Sequence, residues 1–170
     1  VANFYKYYES YIVKKVDAVV VATPCIAEKF AGRTKEICVI NNYPKLDDIK
    51  FNKREFSELD ALICYVGGIS EIRGQLVMED AMKIVNGKLI VAGNHCKEEI
   101  CNGKGFIRYI GQVSRKEVNE IYAKSVAGLV LYQPAENHFF SQPIKLFEYM
   151  AAGVPVICSN SSCLRFNVRI

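Results

Sequence analysis

Five short, mostly apolar runs constrain this chain more than anything else in it. They are ALICYV (61–66), KLIVAG (88–93), FIRYIG (106–111), AGLVLYQP (127–134) and VPVICS (154–159). A strand with one wet face alternates apolar and polar residues. A continuous run suits a strand buried on both faces, as in parallel sheets covered by helices. Helical spacing fills most of the gaps, in GQLVMEDAMKIV (74–85), SRKEVNEIYAKS (114–125) and PIKLFEYMAAG (143–153). Strands alternating with such helices predict an α/β class, a parallel sheet with helices on both faces. Ligands of open parallel sheets collect at the carboxyl ends of the strands. The candidate loops are therefore 67–75, 93–96, 111–114 and 133–143.

The first forty residues repeat the theme more briefly. NFYKYYESYIVKKV (3–16) places Phe4, Tyr8, Tyr11 and Ile12 at helical spacing, and DAVVVA (17–22) and KEICVI (35–40) read as strands. Thr23 and Pro24 suit the cap and first position of a helix. Asn41, Asn42 and Pro44 punctuate a turn and linker. Tyr5, Tyr7, Tyr8 and Tyr11 fit either an aromatic binding face or a helix packed on its own sheet or on another domain. Lys14 and Lys15 fit anionic lipid or, more simply, a solvated helix end. Further on, Val77, Ala81, Ile84 and Val85 are expected to face inward. NHCKEEICNGKG (94–105) reads as a polar loop or short helix, and Ser114 with Glu117 as a capping box.

Several function classes fall away. No run approaches the length of a membrane span. The net charge of +4 is compatible with anionic small molecules or an anionic membrane face but lacks the basic stripe of a nucleic-acid binder. The seven cysteines are odd in number and form no CxxC. Cys38, Cys64 and Cys158 lie in strand-like runs, which predicts reduced core thiols and a cytoplasmic setting. His95, Cys96 and Cys101 match no standard zinc spacing. Neither the glycine fingerprint of a dinucleotide oxidoreductase nor a P-loop is present.

The stretch PIKLFEYMAAGVPVICSN (143–160) carries the chemistry. On a helix, Ile144, Phe147, Met150 and Ala151 gather on one side, expected to pack on the sheet, and Ser141, Lys145, Glu148 and Ala152 on the other. The first turn offers free N–H groups and the positive end of the dipole, which suits a phosphate. Glu148, a turn further in, can accept hydrogen bonds from two adjacent hydroxyls, as on a ribose. The plainer alternative is a solvated i,i+3 ion pair worth a few tenths of a kcal/mol.

The same stretch resembles the signature of retaining glycosyltransferases of family 4, which have the two-domain GT-B architecture. YVGGISEIRG (65–74), KLIVAGN (88–94), YIGQVSRKEVNEIYAKSVAGLVLYQP (109–134) and VDAVVVATPCIAEKF with ICVINNYP resemble other elements of that family in its order. The resemblance implies that Glu148 is the second Glu of the E-x7-E motif, which binds the donor ribose. Lys145 then lies by the diphosphate, with Ser141 in the same helix start. Arg73 stands where the family has a phosphate-binding Lys, and Gly67 and Gly68 let the backbone approach the donor. Two positions depart: Gly68 stands where the family has an Arg, and Phe140 where it has the first Glu of E-x7-E. Glu136 or His138 is the substitute expected at the donor sugar.

The resemblance implies transfer of a sugar from a nucleotide diphosphate-sugar to a hydroxyl of a carbohydrate or lipid-linked acceptor. Configuration would be retained, with no metal or other cofactor and no nucleic-acid partner, and bacterial surface polysaccharide assembly is the expected setting. Expected boundaries are residues 1–44 for the tail of an acceptor-side domain, 45–58 for a linker and 59–170 for the nucleotide-sugar domain. Val1 opens mid-pattern and SSCLRFNVRI (161–170) matches nothing in the family. A truncated fragment is therefore expected, inactive alone and prone to self-associate at an uncovered sheet edge. The cytoplasm is the expected location, with room for peripheral contact at the inner membrane face. Two alternatives stand beside this: a nucleotide-sugar-binding module without transfer, and an unrelated flavodoxin-like protein.

Overall fold

The computed structural model describes residues 2–53, 61–94, 98–102, 105–134 and 142–159. They fall into two compact units that part between Tyr43 and Pro44.

The first unit holds helix α1 (Ala2–Val13), strand β1 (Val19–Val21), helix α2 (Pro24–Phe30) and strand β2 (Ile37–Val39). β1 and β2 pair in parallel, Val19 opposite Ile37. α2 starts as expected: Thr23 Oγ1 accepts from the Ile26 N–H at 3.2 Å, and Pro24 takes the first helical position, where no N–H is needed. Val13, Val21 and Phe30 form a small core. α1 packs through Val13 at its end and through its polar side. Lys29 donates to Glu9 at 2.7 Å and Arg33 to the Ser10 hydroxyl at 2.9 Å. Phe4, Tyr5, Tyr7, Tyr8 and Tyr11 are all exposed, so of the three readings offered for these aromatic residues only packing on the helix's own sheet is set aside.

The second unit is built on β3 (Leu62–Val66), β4 (Lys88–Ala92), β5 (Glu98–Asn102), β6 (Gly105–Gly111), β7 (Ala127–Val130) and β8 (Val156–Cys158), with helices α3 (Gln75–Met82), α4 (Arg115–Lys124) and α5 (Ile144–Ala151). The strand order is β5-β6-β4-β3-β7-β8. Five strands run parallel; β5 is antiparallel to β6. The chain builds outward from β3 through β4 to β6, then returns to place β7 on β3's other side. Connections thus leave β3 and β7 in opposite senses, and in open sheets that switch opens a crevice at the strand ends.

Strand alternation divides the core into two layers. Cys64 and Val66 point to one face, under Val118, Ile121 and Tyr122 of α4 and Leu146 and Tyr149 of α5. Tyr65 points to the other, with Met78 and Met82 of α3 and Leu89, Val91 and Ile107. Each fully buried aliphatic side chain stabilises by about 1.5–3 kcal/mol, so both layers hold the carboxyl ends of the strands firmly. Residues 45–53 pack on this unit as well. Leu46–Asp48 make a single 3₁₀ turn, and Ile49 enters the α4–α5 layer.

Three expectations are corrected here. α3 stops at Met82 and buries Met78 and Met82, while Val77, Ala81, Ile84 and Val85 are exposed. The polar stretch around residue 100 is neither loop nor helix but the edge strand β5, pairing Glu98 with Tyr109. An edge tolerates charged residues because one side of the ladder faces water. Of the free thiols among the described residues only Cys64 is in the core; Cys38 and Cys158 lie on strands yet are exposed.

Candidate functional site

α5 is cut to length by its ends. Pro143 precedes it, and Gly153 closes it with φ 72°, the left-handed conformation that favours glycine. There the Val154 N–H donates to the Tyr149 carbonyl at 2.8 Å and the Gly153 N–H to the Met150 carbonyl at 3.0 Å. The packed face differs from the expected one. Leu146, Tyr149 and Ala152 are buried together with Glu148, and Met150 is half exposed. Tyr149 fixes the rotation. Its hydroxyl accepts from the Val66 N–H at 3.1 Å, and its ring lies on Gly128 so closely that a Cβ there would meet it at 2.7 Å. Rotating α5 would orphan a buried N–H, at a cost of about 1–3 kcal/mol.

That rotation turns Glu148 inward. Its side chain is 9% exposed, and three donors meet it: Lys145 Nζ on Oε2 at 2.7 Å, the Tyr122 hydroxyl on Oε2 at 2.9 Å and Arg115 Nη1 on Oε1 at 3.2 Å. Burial alone would push the carboxyl's pKa up. Lys145 first, then Tyr122 and Arg115, outweigh burial and hold it below the ordinary value. Burial pushes the Tyr122 phenol up, and the Glu148 charge adds to the shift, so it stays a donor. A solvated ion pair is therefore not what forms.

Lys145 links this carboxylate to the end of β3. A Cβ on Gly67 would stand 3.9 Å from Lys145 Cε and one on Gly68 only 2.6 Å from Arg73 Nη1, so both cations lie against the glycine pair. The Gly68 carbonyl accepts from Tyr65 at 2.7 Å and from Arg73 at 3.4 Å. The following loop is braced on the exit of β7, where the Gln133 N–H donates to the Ile72 carbonyl at 2.8 Å. Two cations and the start of α5 thus share the carboxyl ends of β3 and β7, beside a buried acceptor. An anion and adjacent hydroxyls are what such a set can bind.

Residues 60–168 match the family model of glycosyl transferases group 1, well over half of the 170-residue chain. The chain belongs to this family. Solved glycosyltransferase structures of the GT-B type share its fold. Sucrose-phosphate synthase from Thermosynechococcus elongatus superposes with a TM-score of 0.63 at 17% identity, over 93% of this chain and 44% of its own. For AviGT4, a glycosyltransferase involved in avilamycin A biosynthesis, the values are 0.56, 16%, 86% and 46%. For Alr3699/HepE from Anabaena, solved in complex with UDP and glucose, they are 0.60, 12%, 91% and 47%. The chain spans less than half the length of each. No curated protein matches it in sequence.

Of the residues singled out from the resemblance to glycosyltransferases, Gly67, Gly68, Arg73, Lys145 and Glu148 come together in the second unit. Ser141, Glu136, His138 and Phe140 lie outside the described residues, as do His95 and Cys96. Among the described residues no group of three or more His, Cys, Asp or Glu could hold a metal ion, and no helix is long and apolar enough to cross a membrane. Sequence reasoning missed Arg115, Tyr122 and Tyr149. One signal was available: Arg115 opens α4, where the positive end of the dipole opposes a cation, and it shares a helix face with Tyr122 seven residues on.

Proposed function

We propose that this chain carries the nucleotide-sugar half of a retaining, family 4-type glycosyltransferase. The observation that carries the proposal is the pairing of Lys145 and Arg73 over Gly67–Gly68 with the buried, ionised Glu148 one turn into α5. A nucleoside diphosphate satisfies both halves at once. Its phosphates draw the partly exposed Lys145 ammonium off Glu148 and meet Arg73. The freed Oε2 then accepts from a ribose hydroxyl, with Tyr122 and Arg115 still in place. In transfer the bond from the sugar's anomeric carbon to the diphosphate oxygen breaks and one to the acceptor oxygen forms. The acceptor's proton passes to the departing diphosphate or to solvent. Two cations and the α5 N-terminus stabilise the charge that builds on the leaving group, a role that asks for no metal.

Membership in the family removes the flavodoxin-like alternative. Residues 1–44 as an acceptor-side tail, 45–58 as a linker and 59–170 as the donor domain are part of the proposal. So are the cytoplasm, a carbohydrate or lipid-linked acceptor in bacterial surface polysaccharide assembly, peripheral membrane contact and self-association of this chain. Spanning less than half of each similar structure, these 170 residues are expected to bind donor without turning it over.

The test is a thermal-shift panel of UDP, GDP, ADP and dTDP and their common sugar conjugates, followed by calorimetry. At least one diphosphate should stabilise the chain, and Lys145→Ala and Arg73→Ala should each weaken it. If none shifts unfolding, the donor site is wrong. Product formation by a chain of the neighbours' length then separates transfer from binding alone.

A further inference from the structure

We infer that Arg115 is a positioning residue for the Glu148 carboxylate, an assignment that rests on the ribose role proposed above for Glu148. Arg115 spans two elements. Its Nη1 donates to Glu148 Oε1 at 3.2 Å, and its Nε donates to the Asp48 backbone carbonyl at 3.1 Å. Asn119, one turn along α4, donates to the same carbonyl at 3.0 Å and accepts from the Lys50 N–H at 3.3 Å. Ile49, between the two, is buried in the core. The carbonyl is therefore a fixed anchor, and the guanidinium is held at one edge while the other aims at the carboxylate. The helix itself offers Arg115 no reason to be there, since a cation in the first turn opposes the dipole.

Lys145 cannot do the same work. Once it turns to a diphosphate, Oε2 keeps, among the described residues, only the neutral Tyr122 hydroxyl. A carboxylate as buried as Glu148 stays ionised only beside a cation. Arg115 stays because it is tied to Asp48, and its planar fork sets the plane in which the carboxylate meets a sugar hydroxyl. A lysine in its place can reach one acceptor or the other, without the fork.

The experiment reads discrimination between ribose and deoxyribose. UDP, GDP and ADP, each beside its 2′-deoxy form, are titrated into wild type, Glu148→Ala, Arg115→Ala and Arg115→Lys by calorimetry, with thermal unfolding as the check on folding. Wild type is expected to prefer ribose by about tenfold, the scale of one hydrogen bond to a charged group. Glu148→Ala and Arg115→Ala should bring the ratio to within about twofold of unity, and Arg115→Lys should fall between. A purely structural role would weaken both forms alike and keep the ratio. Arg115→Ala with an intact ratio, where Glu148→Ala has lost it, overturns the assignment and leaves the ribose role standing. A wild type without ribose preference overturns both. Should Arg115→Ala fail to fold, Arg115→Lys decides: a wild-type ratio overturns the assignment.

Discussion

Two ion pairs in this molecule look alike on paper. Asp80 and Lys83 lie three apart at the end of α3, and Lys145 and Glu148 lie three apart in α5. Both are short, 2.6 Å and 2.7 Å. The α3 pair is 70% and 58% exposed on its acid and base, whereas the α5 pair is 9% and 35% exposed. The first is a solvated contact of the kind that contributes little. The second shares its acid with a phenol and a guanidinium from α4. Sequence spacing sets whether two charges can touch. The layer beneath them sets whether the contact has consequences.

The comparison breaks most visibly at Glu148. Glu148→Ala removes the acceptor of three donors; Lys145 and Arg115, each 35% exposed, can turn to water, so the expected loss of stability is that of hydrogen bonds to a charged group, about 2 kcal/mol. Nucleotide binding should also weaken, by about 1.5–3 kcal/mol, the scale of hydrogen bonds to a charged group. Urea unfolding and calorimetry read the two effects separately, and a variant that matches wild type in both would return α5 to the status of α3. Tyr122→Phe tests the second layer. It leaves the ring packed against Tyr149, 5.1 Å between centroids, but deletes one donor. A loss of about 1 kcal/mol is expected in the same unfolding assay.

Acid offers a gentler probe. Glu148 is held below its ordinary value near 4.5, by Lys145 and its other donors against the effect of burial. A group depressed in the folded state contributes stability that is fully present above its unfolded value and is lost as pH falls through the folded one. The stability gap between wild type and Glu148→Gln should therefore be widest near neutrality and close below about pH 4.5. A gap that does not change with pH would mean that the carboxylate's charge is not what the site holds. The smallest effect belongs to α3. Lys83→Ala should change neither the unfolding midpoint nor nucleotide affinity measurably, because its partner is solvated; a clear loss would erase the distinction between the two pairs.

Much of the fold was legible. Mostly apolar runs marked the parallel strands because strands covered by helices bury most of their positions; Arg108 in β6 is the exposed polar exception. Thr23-Pro24, Ser114 with Glu117, and Gly153 marked helix ends because capping is local chemistry, decided within a few residues. β5 was not legible: EEICN has no strand pattern, and it pairs because β6 presents a free edge. The site was half legible. Lys145 and Glu148 were found from one helix face and Gly67, Gly68 and Arg73 through the family resemblance, while Arg115 and Tyr122 sit on another helix with no sequence link to them.

By itself, then, the sequence determined the order of the parallel strands and the helices between them, where the capped helices start, and which charges share a turn of α5. Those follow from backbone propensity and short-range hydrogen bonds, which act within a few residues. The tertiary structure decided which way each helix faces. Met78 and Met82 go in, and Val77 and Ile84 stay out, because the sheet offers its space under that side of α3. Glu148 goes in because Tyr149 must reach the Val66 N–H across a glycine in β7. A helix wheel ranks residues by polarity alone. Glu148 is buried in spite of its polarity, because α4 supplies the donors that let a carboxylate remain charged away from water.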